Sequence, residues 1–272
     1  PLLWAAQALV LLALLWLIDK AGGPGALAAP WRRVPPALIG LVCLAQLASY
    51  SLRALRIYWA EPAVPRGAWA ACLRLILLNN TLNLLLPART GEASFPLLMQ
   101  RWFGVPLAQG TGTLLWLRLL DLNVLAVLGL LFFMPTLNLA PAVTWRVLAI
   151  LAALLPLAAP ALNRQGMRRV TGRSGKASRL FAQLLAGVPQ GLRQVLIDLL
   201  LSWSAWAIKL AALAAVFAVL AALPTHVALL GAIGGDLSTV LPLHMPGGFG
   251  TYEAGVLALV ATTAQPSSVL LT

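Results

Sequence analysis

The sequence predicts an all-α, polytopic bundle of membrane-embedded helices, and three observations predict it. Apolar residues fill 61% of the 272 positions and charged residues only 10%, with a mean hydropathy of +0.89; soluble domains carry roughly 25% charge. The apolar residues gather into stretches near 2–18, 34–52, 75–88, 106–134, 141–162, 195–222, 225–243 and 254–272. About 20 apolar residues cross the hydrocarbon layer, so one transmembrane domain over 1–272 has room for about 6–8 segments. Two similar interruptions break the pattern: Leu-Pro-Ala-Arg-Thr-Gly-Glu at 86–92 and Met-Pro-Gly-Gly-Phe-Gly-Thr-Tyr-Glu-Ala-Gly at 245–255.

Taken in order, the first stretch, Leu2 to Ile18, reads as a span, since it lacks a basic n-region and a small-residue cleavage site. Because the chain opens on Pro1, its native start is expected upstream. Cys43 and Cys72 both fall in apolar runs, where small buried side chains are expected rather than a disulfide or a metal site. The run 75–88 is too short to span and continues into Arg89, Gly91 and Glu92. The region 67–102 therefore reads as a broken element, a re-entrant hairpin or a steeply bent helix pair. A second broken element is expected over 225–255, where Gly231, Gly234, Gly235 and Pro242 weaken a straight helix. Proline removes a backbone donor and glycine relaxes the φ/ψ limits. An intramembrane break that carries an ionisable group is a functional site by default. The likeness of the two breaks suggests an inverted repeat, with Pro87–Glu92 matching Pro246–Glu253.

Net charge is +12, yet no aromatic-and-basic surface module is present, which argues against a nucleic-acid partner. The basic residues report topology instead. Arg164, Arg168, Arg169, Arg173, Lys176 and Arg179 crowd a loop at 164–179 with no acidic residue, so that loop is expected to be cytoplasmic. Arg53, Arg56, Arg66, Arg74, Arg89 and Arg101 then lie on the same side, while Lys20, Arg32 and Arg33 lie outside. The expectation is a multi-pass protein of a bacterial or archaeal plasma membrane. The loop either binds anionic head groups, at about 1 kcal/mol per cation, or only sets topology.

Four constellations could carry chemistry. Arg89 and Glu92 are three apart, close enough on a helix to pair with each other or to meet a polar ligand. Arg118 and Asp121 repeat that separation, with Thr111, Thr113 and Asn123 nearby, and form either a structural clamp or a cavity wall. Asp198, Ser202 and Lys209 lie near one helical face. Lys209 is about 16 Å from Asp198 along the axis, so its ammonium needs Asp236, Glu253 or a lipid phosphate, or must snorkel. Gly248 and Gly250, with His244, Pro246 and Tyr252, precede Glu253 at the start of a helix. Such a stretch either offers N–H groups to a phosphate or only packs tightly; with no preceding strand it is not a dinucleotide loop. No Ser-His-Asp set and no metal-ligand pattern is present, and His226 reads as a solvated turn residue. No enzyme activity, cofactor or metal is therefore expected.

The Tyr-Ser-Leu-Arg-Ala-Leu-Arg stretch at 50–56, Asn-Leu-Leu-Leu-Pro-Ala-Arg-Thr-Gly-Glu at 83–92, Arg-Leu-Leu-Asp at 118–121 and Pro-Gly-Gly-Phe-Gly-Thr-Tyr-Glu at 246–253 occur in that order. In this the chain resembles the transmembrane region of lysylphosphatidylglycerol synthases and the stand-alone flippase-like proteins that share it. The resemblance implies about eight helical segments that move a phospholipid or lipid-linked saccharide between leaflets, with Arg56, Arg89, Glu92, Arg118, Asp121 and Glu253 as the positions to carry over. It covers most of the chain and departs from the family in two places. Ser94-Phe95-Pro96 replaces a basic residue usual after the Gly-Glu pair, and the chain stops at Thr272 where relatives usually continue through another helix. Nothing resembles the soluble aminoacyl-transferring domain of a synthase.

The leading expectation is a translocase whose two breaks line a cavity for an anionic, phosphate-bearing head group, with Lys209 as a further cation. Alternatives are a proton-coupled transporter of a small solute working through Glu92 or Glu253, and a non-catalytic membrane partner of a lipid-modifying enzyme. Gly187 with Gly191, and Gly231 with Gly235, have the spacing for close helix approach, within one chain or in a homo-oligomer.

Overall fold

The computed structural model describes residues 12, 16, 19, 20, 25, 30–170, 175–240 and 250–264. It is an all-α helical bundle, with no strand among the described residues. Helix α1, Pro36–Ala60, starts on two prolines whose missing N–H groups are not needed there. Ser49, Ala54, Arg56 and Ile57 are buried, while Leu41, Leu44 and Leu47 are exposed on its other side, as befits a helix with one face in lipid. Cys43 shares that exposed side and Cys72 is buried, so the expectation of two buried thiols holds only for Cys72.

After α1 the chain folds back as α2, Trp69–Leu85, a tight 3-10 segment Pro87–Ala93, and α3, Ser94–Phe103. The most buried of the long apolar helices, α4, runs over Leu107–Leu128 and continues through a wider turn to Leu137. Helices α5, Ala142–Leu154, and α6, Ala159–Val170, are joined by a 3-10 turn at Pro156 into one helical stretch. Then come α7, Lys176–Ala186, α8, Leu192–Leu220, α9, Thr225–Val240, and α10, Thr251–Ala264. Among the described residues four helical stretches are long and apolar enough to span a membrane: Pro36–Ala60, Leu107–Leu137, Ala142–Val170 and Leu192–Leu220. The chain is a multi-pass membrane protein.

Two details of the expectation change. The glycines Gly231, Gly234 and Gly235 do not interrupt the stretch before the second break, because α9 is one helix through them, while the break itself, at 241–249, lies outside the described residues. Those glycines serve contact: a Cβ on Gly234 would overlap the carbonyl of Gly255, and one on Gly235 the Tyr252 ring, so α9 and α10 approach backbone to backbone. Pro242 lies outside the described residues. The basic region 164–179 is not an open loop, since Arg164, Arg168 and Arg169 ride on α6 and Lys176 and Arg179 on α7, with Arg173 outside the described residues.

Helix α1 packs along α2 and α8, α8 along α9, and α4 touches α3, α5, α7 and α8. One apolar core joins α1 to α4 through Ala54, Ile57, Leu75, Phe95 and Leu117; a second joins α4, α8, α9 and α10 through Val124, Trp206, Leu210, Ile233 and Leu259. Asp121 falls between Leu117 and Val124, so charge lies where the two cores meet.

Candidate functional site

Asp121 sits on the buried face of α4 and gathers donors from three helices. From α1, Arg53 Nη1 lies 3.0 Å from Oδ2 and Arg56 Nη1 lies 3.2 Å from Oδ1. From α8, the Trp206 indole N–H donates to Oδ1 at 3.0 Å. Arg118 Nη1 is 3.7 Å from Oδ2, and its Nε is 3.1 Å from Glu92 Oε1 in the 3-10 segment. Arg56 also donates to the Ser202 hydroxyl at 2.8 Å, which itself donates to the Asp198 carbonyl. The spacing explains the convergence: 49, 53 and 56 share a face of α1, and 202, 206 and 209 share one of α8.

Trp206 joins this cluster to a second ion pair. Arg53 and Lys209 lie over its ring at 4.8 and 4.9 Å, and Lys209 Nζ is 2.6 Å from Asp236 Oδ1 on α9. Around these groups opens a cavity of about 410 Å³, whose walls include Arg53, Arg118, Asp121, Trp206, Lys209 and Asp236. Three cations face two carboxylates there, leaving one positive charge in excess. Tyr50 and Asn80 add polar groups to the wall. Leu77 and Leu84 of α2, 37% and 52% exposed, border the same cavity, so one side of it opens at the apolar surface. The arrangement can hold an anionic group while apolar chains stay outside.

The break after α2 is held by one amide. Asn79 Nδ2 donates to the Gly91 carbonyl at 3.3 Å and to Ser94 Oγ at 3.1 Å, stitching the 3-10 segment onto α2. A Cβ on Gly91 would overlap the backbone of Leu82 and Asn83, so only glycine allows this approach. That fold-back puts Glu92 against Arg118. Asn79→Ala removes both bonds at a buried site and is expected to lower stability by about 1–3 kcal/mol, read as an earlier unfolding transition of the detergent-solubilised protein.

Of the residues singled out in the sequence, Arg56, Glu92, Arg118, Asp121 and Lys209 meet in this one region. Glu92 has Arg118 as a partner, and Lys209 reaches Asp236 rather than Asp198. Arg89 contributes backbone to the 3-10 segment, but its side chain, like Gly248, lies outside the described residues. Gly250 and Glu253 sit elsewhere: Glu253 Oε2 accepts the Gly250 N–H at 2.7 Å, the reciprocal half of a capping box, and neither lines the cavity. The carboxylate at that helix start is the chain's own. Trp206 is not among the residues the sequence singles out, and Tyr50 and Arg53 enter there only within the 50–56 stretch, Arg53 also as one of the topology-setting cations. Their helical register with Ser202, Lys209 and Arg56 was the available signal.

Among curated proteins and solved structures no match to the chain is found. The family model for the lysylphosphatidylglycerol synthase TM region matches residues 3–272. The chain therefore belongs to the lysylphosphatidylglycerol synthase TM region family.

Proposed function

We propose that this protein is a lipid translocase, which moves a phosphate-bearing amphiphile between the leaflets of a plasma membrane. The observation that carries the reading is the cavity between α1, α2, α4, α8 and α9, with excess positive charge inside and exposed leucines along one edge. Arg53, Arg118 and Lys209 would take the phosphate, while Leu77 and Leu84 leave room for acyl chains to remain in lipid. A path for a small solute would open to water alone, so the apolar edge favours a lipid. In this reading α2 and α3 form a re-entrant hairpin from the cytoplasmic face, where the cations of α6 and α7 also lie. The chain's own part in transport is binding, not bond-making.

Reconstitution into vesicles with labelled phospholipids and lipid-linked saccharides tests this. Leaflet exchange faster than in empty vesicles is expected, and Arg118→Gln is expected to slow it by about tenfold or more, since a hydrogen bond to a charged group contributes roughly 1.5–3 kcal/mol. Exchange at the empty-vesicle rate for every lipid tried would sink the proposal.

A further inference from the structure

Asp198 on α8 is fully buried, and among the described residues it forms no ion pair. Two neutral donors meet its carboxyl group instead: the Trp116 indole N–H at 2.8 Å from Oδ2 and the Gln194 amide at 2.8 Å from Oδ1. Desolvation disfavours the charged form of a carboxyl group unless an opposing charge or donors offset it. Trp116 and Gln194 both line a second cavity of about 360 Å³, between the end of α1, the start of α4, the end of α7 and the start of α8. Trp59, in the same wall, is 58% exposed, so the cavity is reachable from outside the bundle. Asp198 does not line it; both of its donors do. Those donors differ in what they can become. An indole N–H only donates, whereas a primary amide carries both donors and a carbonyl acceptor. Turning the Gln194 amide over presents Oε1 to Asp198 Oδ1, the partner that a proton on Oδ1 needs. Asp198 therefore has two hydrogen-bonded states, one as a carboxylate and one as an acid.

The charged groups on the neighbouring elements are mostly committed elsewhere. From α1, Arg56 Nη1 donates to Ser202 Oγ at 2.8 Å, and that hydroxyl donates to the backbone carbonyl of Asp198 at 2.6 Å. Glu61, just past the end of α1, is held by the Gln109 amide. On α4, Asp121 is held by Arg53 and Arg56. Arg164 of α6 is exposed and donates to the Gln190 carbonyl at 3.3 Å, and the 3-10 turn Leu155–Ala158 carries no charge. On α8 itself Arg193 is exposed, and Lys209, about 16 Å along the axis, is held by Asp236 of α9. Arg56 is thus the cation that Asp121 and Asp198 share.

We infer that Asp198 is a proton-binding site coupled to the first cavity. A proton entering from the second cavity adds to Oδ1, and Gln194 turns its carbonyl onto the new O–H. No electrons move, and only the proton is exchanged. The charge of Arg56 that had balanced Asp198 then falls to Asp121 alone. Asp121 needs less from Arg53 and Arg118, which face the first cavity, so an anion there is held more tightly. By linkage the anion favours the proton in turn. The proton site stands on its own geometry, while its use in transport rests on the translocation reading.

Infrared difference spectroscopy on the whole detergent-solubilised protein tests the site. On lowering the pH from about 8 to 5, the C=O band of a protonated carboxyl group is expected to appear in the parent and to be missing in Asp198→Asn. That variant still accepts the Trp116 N–H and offers Gln194 a donor. Trp116→Phe, which keeps an aromatic ring but removes the donor to Oδ2, is expected to move the band to higher frequency, so the assignment does not depend on one variant. Titration calorimetry with dihexanoyl phosphatidylmethanol, an anion that does not itself titrate in this range, reads the coupling when repeated in buffers of different ionisation enthalpy. Net proton uptake on binding is expected in the parent and none in Asp198→Asn. Absence of the band, a band indifferent to both variants, or anion titrations without proton uptake in the parent would each overturn the inference. Leaflet exchange at the empty-vesicle rate, with the band and the uptake both present, counts against the translocation reading alone.

Discussion

Asp121→Asn is expected to be among the most damaging single substitutions in this bundle. The carboxylate is 4% exposed and lies against Arg53, Arg56 and Arg118, with the Trp206 N–H as a further donor. An amide keeps the shape but removes the charge that lets these guanidinium groups stay buried. Removing one partner of a buried ion pair costs about 3–5 kcal/mol, because the other is left uncompensated in low dielectric. The measurement is the unfolding midpoint in detergent, together with recovery of monodisperse protein. Arg118→Gln provides the comparison: its side chain is 27% exposed, so its loss should cost far less stability. Equal stability of Asp121→Asn and the parent would show that the cluster is not what joins α1, α4 and α8.

Gly234→Leu is the second large effect. Helices α9 and α10 meet with the backbones of Gly234 and Gly255 in contact, and no side chain fits between them. Small-to-large changes in a packed interior usually cost about 1–3 kcal/mol, and more when backbone must move. Here the contacting atom is a carbonyl, which cannot turn aside as a flexible side chain can. Forcing α9 and α10 apart would also disturb the Asp236–Lys209 pair, since Asp236 lies two residues further along α9. Both a lower unfolding midpoint and slower leaflet exchange are therefore expected. Gly129→Leu, at a glycine with open space around it, should show neither.

Particular residues show how much could be read before folding. The separation of three between Arg118 and Asp121 marked a buried polar face, because neither charge is tolerated in lipid. Lys209 in mid-span demands a partner, and Asp236 is one of the few carboxylates the sequence offers it. The Pro-Gly composition of 86–92 marked a break, and the chain does fold back there. Less was visible where one residue type serves two ends. The glycines of α9 read as weakness in a helix, yet they are contact points for α10, a distinction that depends on what lies opposite. Glu253 read as a ligand group and is seen as a helix cap, since a carboxylate three residues into a helix suits both. Trp206 carried no signal beyond its register with Ser202 and Lys209. Its place between Arg53 and Lys209 arises from a helix more than a hundred residues away in the chain.

Composition and hydropathic period were enough for the class of molecule, a bundle of membrane helices with charge at a few inward positions, because transfer free energies are local and add along the chain. Which charges meet was a matter of packing. Electrostatic partners are chosen by distance across the bundle, and that distance exists only once α1, α4 and α8 cross, bringing Arg53, Arg56, Asp121 and Trp206 within hydrogen-bond range.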